Sequence, residues 1–142
     1  MLILPGVTGC SQVNYVKDIA YYALSHGYQP VVINCLVTKD KVQTYDGSRV
    51  LDFSDNEVMR SAVDLVHKEL GPDAEVYGVG FSLGANHLLR YVGSHHHDHG
   101  MRAAVSISNP FDVLATTVRL KYRCFGLYDK VIRIKLADPF LK

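Results

Sequence analysis

Residues 75–91 read EVYGVGFSLGANHLLRY, with Gly80-Phe81-Ser82-Leu83-Gly84, a G-x-S-x-G, at the centre. Val76, Tyr77 and Val79 have the character of a short buried strand. Leu88, Leu89, Tyr91 and Val92 have that of the apolar face of a helix. Ser82 therefore falls at a strand-to-helix turn, the setting of a nucleophile elbow, where a strained backbone lifts a hydroxyl above the end of a sheet. Gly78, Gly80, Gly84 and Ala85 keep the surroundings small, because a side chain there would meet the neighbouring strand or helix. The same glycines would also suit a plain βα turn or an anion cradle at a helix N-terminus. No Walker lysine follows them, which counts against the cradle.

Outward from this turn the chain alternates strands and helices. Leu2 to Leu4 is an apolar strand, and Pro5-Gly6-Val7-Thr8-Gly9 is a glycine-bearing loop. Its use, beyond that of an ordinary βα connection, would be an oxyanion hole formed by the N–H of Val7 with that of Leu83. Ser11 is placed to cap a helix carrying Val16, Ile19, Ala20, Ala23 and Leu24, with Gly27 as its left-handed terminus. Val31 to Val37 is a continuous apolar run, as in a strand covered on both faces, with Cys35 as a small core residue. Thr38 to Phe53 reads as a long polar surface excursion.

Ser54 and Glu57 form a capping box before a helix with Val58, Ala62, Leu65, Val66 and Leu70 on its buried stripe, stopped by Gly71-Pro72. His67 on that helix is a packing or solvated histidine. Ala103 to Ser108 is a further buried strand. From Phe111 a helical pattern begins, and Tyr128 to Leu136 mixes basic and apolar residues. That mixture suits a packed helix, a cap over a substrate mouth or a membrane-surface contact.

Gly93 to Gly100 holds four histidines and Asp98. Consecutive loop residues do not converge on one ion, so a solvated loop is expected, with no metal and no cofactor. His87, one turn past Ser82, is badly aimed to act as its base. The 142 residues make one domain at most, 48% hydrophobic and 20% charged, which is a globular, soluble composition; the net charge of +1 predicts no nucleic-acid partner. Cys10, Cys35 and Cys124 are too few and too scattered for a disulfide framework, and no apolar run is long enough to span a membrane. An intracellular or membrane-associated setting fits better than a secreted one. A strand beginning directly after Met1 makes the chain look cut.

Four strands alternating with three helices predict an α/β doubly wound parallel sheet. Within that frame LPGVTG at Leu4 to Gly9, HGYQPVVIN, YGVGFSLGAN and AAVSISNPFD at Ala103 to Asp112 occur in order. Together they resemble the YheT-like, abhydrolase-domain lipase and carboxylesterase branch of the α/β-hydrolase fold. The resemblance implies a partial α/β-hydrolase core over residues 1–112 and the start of a helical cap over residues 113–142. It implies Ser82 as nucleophile, the N–H groups of Val7 and Leu83 as oxyanion donors, and acylglycerols, phospholipids or short-chain esters as substrates.

The family's Arg-Gly and Pro-Arg are replaced here by Cys35-Leu36 and Ser48-Arg49, so that loop would be shaped differently. The family's acid and histidine follow the cap and match no residue here; Asp112 alone follows a strand end where an acid could substitute. The expected function is thus a serine ester hydrolase present without its Asp and His. The alternative is an inactive, esterase-derived scaffold subunit. By the family's strand order both sheet edges, Val31 to Val37 and Ala103 to Ser108, would be bare, calling for a protein partner or further chain. Any membrane association would come through segments outside this chain.

Overall fold

The computed structural model describes residues 1–34, 37–38, 41–42 and 56–137. Strands β1 (Leu2–Leu4), β2 (Val31–Val32), β5 (Tyr77–Phe81) and β6 (Ala103–Ile107) form one parallel sheet in the order β2-β1-β5-β6. Helices α1 (Asn14–Ser25), α2 (Glu57–Leu70) and α3 (Leu83–His95) lie between them in the chain, and α4 (Val113–Tyr122), a 3-10 turn (Arg123–Gly126) and α5 (Leu127–Ala137) follow. The expected α/β alternation and both expected edges are present. The long polar excursion contributes a separate antiparallel pair, β3 (Val37–Thr38) with β4 (Lys41–Val42).

Period-two alternation splits the sheet into two differently covered faces. Leu2, Leu4 and Val76 pack with Met59 and Val63 of α2, Leu88 and Tyr91 of α3, and Met101. On the opposite face Ile3 and Val79 pack with Val16 of α1, flanked by Ile19, Ala20, Val32 and Phe81. The core is therefore two apolar layers separated by a sheet, as parallel strands require.

Several local expectations need correction. Helix α1 starts at Asn14 after Val13, with no side-chain cap, and the Ser11 N–H instead donates to Asn34 Oδ1 at 2.7 Å. Its other end is as expected: Tyr28 N–H reaches the Ala23 carbonyl and Gly27 N–H that of Leu24, with Gly27 at φ 80°, a Schellman closure. The Val31 to Val37 strand is shorter than the apolar run, since the chain leaves the sheet after Ile33, whose N–H donates to the Ile3 carbonyl, and Val37 pairs elsewhere. Cys35 and Ser54 lie outside the described residues. Helix α2 begins at Glu57 after Asn56, which makes no side-chain cap bond. Its buried residues are Met59 and Val63, whereas Val58, Leu65 and Leu70 are exposed. Strand β6 is not buried, for its residues alternate between exposed and half-buried.

Candidate active site

Strand β5 lies between β1 and β6, so the turn at its C-terminal end opens at the middle of the sheet. Ser82 occupies that turn at φ 52° and ψ −119°, a conformation that side-chain-bearing residues rarely adopt. Hydrogen bonds hold it there from both sides. Its N–H donates to the Ile107 carbonyl on β6 at 2.9 Å, and its carbonyl accepts from Ala85 and Asn86 at 3.0 and 3.2 Å. The Ser82 side chain does not cap α3 and is exposed. Such a conformation costs about 1–3 kcal/mol and persists only where the surroundings fix it.

The glycines around it are forced by contact. A Cβ on Gly80 would stand 2.6 Å from Ala85 Cα, and one on Gly84 would strike the carbonyl oxygens of Leu4 and Pro5. A Cβ on Gly6 would stand 3.1 Å from Ser82 Cβ, so the loop after β1 passes directly beside the serine. That loop turns tightly, Gly9 N–H donating to the Gly6 carbonyl at 2.9 Å and Gly6 N–H to Tyr15 Oη at 3.0 Å. The Tyr15 ring meets Phe81 edge-on, with 5.0 Å between centroids.

Ser82 opens onto a cavity of about 460 Å³. Val7, Phe81, Ile107, Val131 and Ile132 supply its apolar wall, and Thr8, Tyr15, Ser108 and Lys135 its remaining polar side chains. Val7 lines the same cavity as Ser82. Leu83 is the first residue of α3, where a helix has no carbonyl of its own for the N–H. From the Tyr128 to Leu136 segment, Val131, Ile132 and Lys135 of α5 line the cavity.

Asp112 is spent elsewhere, its Oδ1 accepting the Ala115 N–H at 2.7 Å to cap α4. His87 is half-buried on α3, one turn along from Ser82. In the histidine segment His95 Nδ1 lies 2.8 Å from the Tyr91 carbonyl, and His99 Nδ1 accepts from the Met101 N–H. Among the described residues no three His, Cys, Asp or Glu are grouped to hold a metal ion. The sequence reading missed Tyr15, Ser108 and Lys135. Only Ser108 carried a local signal, its place just past a strand end.

A parallel sheet in this order, with a strained serine at the central strand-to-helix turn, is that of the α/β-hydrolase fold. The chain is 35% identical, over all its length, to embryogenesis-associated protein EMB8 of Picea glauca, 31% of which it covers. It is 30% identical to a monoacylglycerol lipase of Saccharomyces cerevisiae over 80% of this chain and 25% of that protein. It is also 29% identical to phospholipase ABHD3 of Bos taurus over 85% of this chain and 29% of that protein. The chain belongs to the abhydrolase-domain lipases and esterases and spans less than a third of the length of these relatives. No family model matches it, and neither does any solved structure.

Proposed function

We propose that this chain is the nucleophile-bearing part of a serine hydrolase acting on carboxylic esters, with acylglycerols, phospholipids or short-chain esters as substrates. Ser82 Oγ attacks the ester carbonyl carbon. Its proton passes to a base, the carbonyl π electrons move onto oxygen, and the N–H groups of Val7 and Leu83 stabilise the resulting oxyanion. Collapse expels the alcohol, which takes up that proton, and water repeats the sequence to release the acid. The base and its orienting carboxylate come from outside residues 1–142, so this chain alone would keep only the small residual catalysis of binding and oxyanion stabilisation. Residues 113–142 begin a helical cap over residues 1–112, and the apolar wall holds the acyl chain.

The observation that carries this reading is Ser82 itself, exposed, strained and braced by hydrogen bonds on both sides at a cavity mouth. The relatives named as a monoacylglycerol lipase and a phospholipase support the ester class. In the full-length gene product a fluorophosphonate probe should label Ser82 and leave Ser82→Ala unlabelled. No labelling of a folded full-length protein would sink the enzyme reading. It would leave the inactive, esterase-derived scaffold subunit as the alternative.

A further inference from the structure

Tyr15 stands where three parts of the Ser82 mouth meet. It sits in the first turn of α1 and lines the cavity, its ring edge-on to Phe81, the residue just before the serine. Its hydroxyl accepts the Gly6 N–H at 3.0 Å, on the loop whose next residue is Val7. The space around that oxygen is full, since a Cβ on Gly9 would stand 2.7 Å from it. Gly6 has no Cβ to restrict its own backbone, so the direction of the Val7 N–H depends on what holds the peptide units on either side of Gly6. Tyr15 holds the unit between Pro5 and Gly6. The unit between Gly6 and Val7 is held by the turn that its carbonyl closes with the Gly9 N–H at 2.9 Å. In a trans peptide C=O and N–H point in opposite directions, so a carbonyl turned toward Gly9 turns the Val7 N–H the other way. Among the described residues none accepts that N–H.

We propose that Tyr15 is a positioning residue, whose hydroxyl holds the loop after β1 so that the Val7 N–H meets the oxyanion formed at Ser82. With its ring on Phe81 and its hydroxyl on Gly6, one side chain registers the nucleophile's strand against the donor's loop. The oxyanion exists only once the carbonyl has been attacked. A loosened donor therefore weakens the transition state and leaves ground-state binding of the ester as it was. The effect on turnover rests on the hydrolase reading given above; the effect on the loop does not.

The test uses the full-length gene product and Tyr15→Phe, which keeps the ring against Phe81 and deletes only the hydroxyl. With a freely dissolved short-chain p-nitrophenyl ester, kcat should fall about tenfold while KM stays unchanged. That is less than the roughly 10²–10³ for losing an oxyanion donor outright, because the Gly9 turn still orients the N–H. Acylation and deacylation both pass through an oxyanion, so the loss reaches kcat whichever step limits. Tyr91→Phe also removes one hydrogen-bonding hydroxyl, which reaches the His99 carbonyl at 2.9 Å, but in the core and outside the cavity lining; it should keep the wild-type kcat. A kcat in Tyr15→Phe within about twofold of wild type, a loss confined to KM, or an equal loss in Tyr91→Phe overturns the proposal.

Hydrogen exchange reads the same loop without any catalysis. The Gly6 amide should exchange about fivefold faster in Tyr15→Phe, the net worth of one hydrogen bond, and at the wild-type rate in Tyr91→Phe. If exchange quickens in Tyr15→Phe but the wild type neither cleaves the ester nor takes the fluorophosphonate probe, Tyr15 keeps its hold on the loop and the hydrolase reading falls. Unchanged exchange at Gly6 in Tyr15→Phe overturns the positioning role whatever the activity.

Discussion

At position 84 one methyl group separates a working turn from a broken one. A Cβ there runs into the backbone carbonyls of Leu4 and Pro5, where β1 ends, and backbone has no rotamer by which to give way. Gly84→Ala should cost about 3 kcal/mol, at the upper end for overpacking. Gly27 is a control, with nothing within 4 Å of its Cβ position but φ at +80°, so Gly27→Ala should cost only about 1 kcal/mol of left-handed strain. Urea midpoints of the two variants check the order, and equal midpoints would refute the steric account.

A second residue-scale expectation concerns Tyr91, fully buried, with its hydroxyl donating to the His99 carbonyl at 2.9 Å. Burial pushes its phenol above the usual value of 10.0. Above that pH the unfolded chain releases a proton that the folded chain retains, so stability falls as pH rises through the alkaline range. Tyr77, raised by donating to Glu75, acts in the same direction. Tyr91→Phe should therefore flatten, without abolishing, the alkaline decline in thermal midpoint. Ser82 and its glycines were readable in the sequence because a G-x-S-x-G between an apolar strand and a helical pattern marks the turn by itself, even though what Gly84 clears is the distant end of β1. Tyr15 and Lys135 were not, because each reaches the site only through the packing of a whole helix.

The same division holds for whole elements. The α1 terminus is legible because a Schellman closure needs one left-handed residue, and Gly27 supplies it. The face of α2 is less so. Its apolar residues span a wide arc, and helical periodicity gives the arc without saying which edge of it meets the sheet. The sheet selects Met59 and Val63 at 0% and 1% exposure, with Ala62 and Val66 beside them, and leaves Leu65 at 54%. Met59→Ala should then cost about 2–5 kcal/mol, and Leu65→Ala no more than about 0.5 kcal/mol. Comparable losses in chemical denaturation would mean that α2 is rotated from the orientation described. Strand β6 was misjudged for a related reason. An apolar run shows that a strand can be covered, but whether both faces are covered depends on what else is packed there.

Across the molecule one row of side chains shows where cover ends. Val32, Ile3, Val79 and Val105 are aligned by register over all four strands and point to the α1 face. Ile3 and Val79 lie beneath Val16 of α1 at 0% and 7% exposure, with Val32 packed against them, whereas Val105 on the edge is 55% exposed. An exposed valine on a strand that, among the described residues, is paired on one side only is a template for association. Substituting Val105→Lys places a charge where an incoming strand would have to bury it, while removing little native packing. The variant should remain monodisperse in light scattering at concentrations where the wild-type chain associates, with a thermal midpoint close to wild type. Ile3→Lys, in the same row but under α1, should instead fail to fold, because the ammonium would be buried without a partner. If Val105→Lys unfolds the chain as Ile3→Lys does, the α1-side face of β6 is covered, and the sheet does not end where the register places its edge.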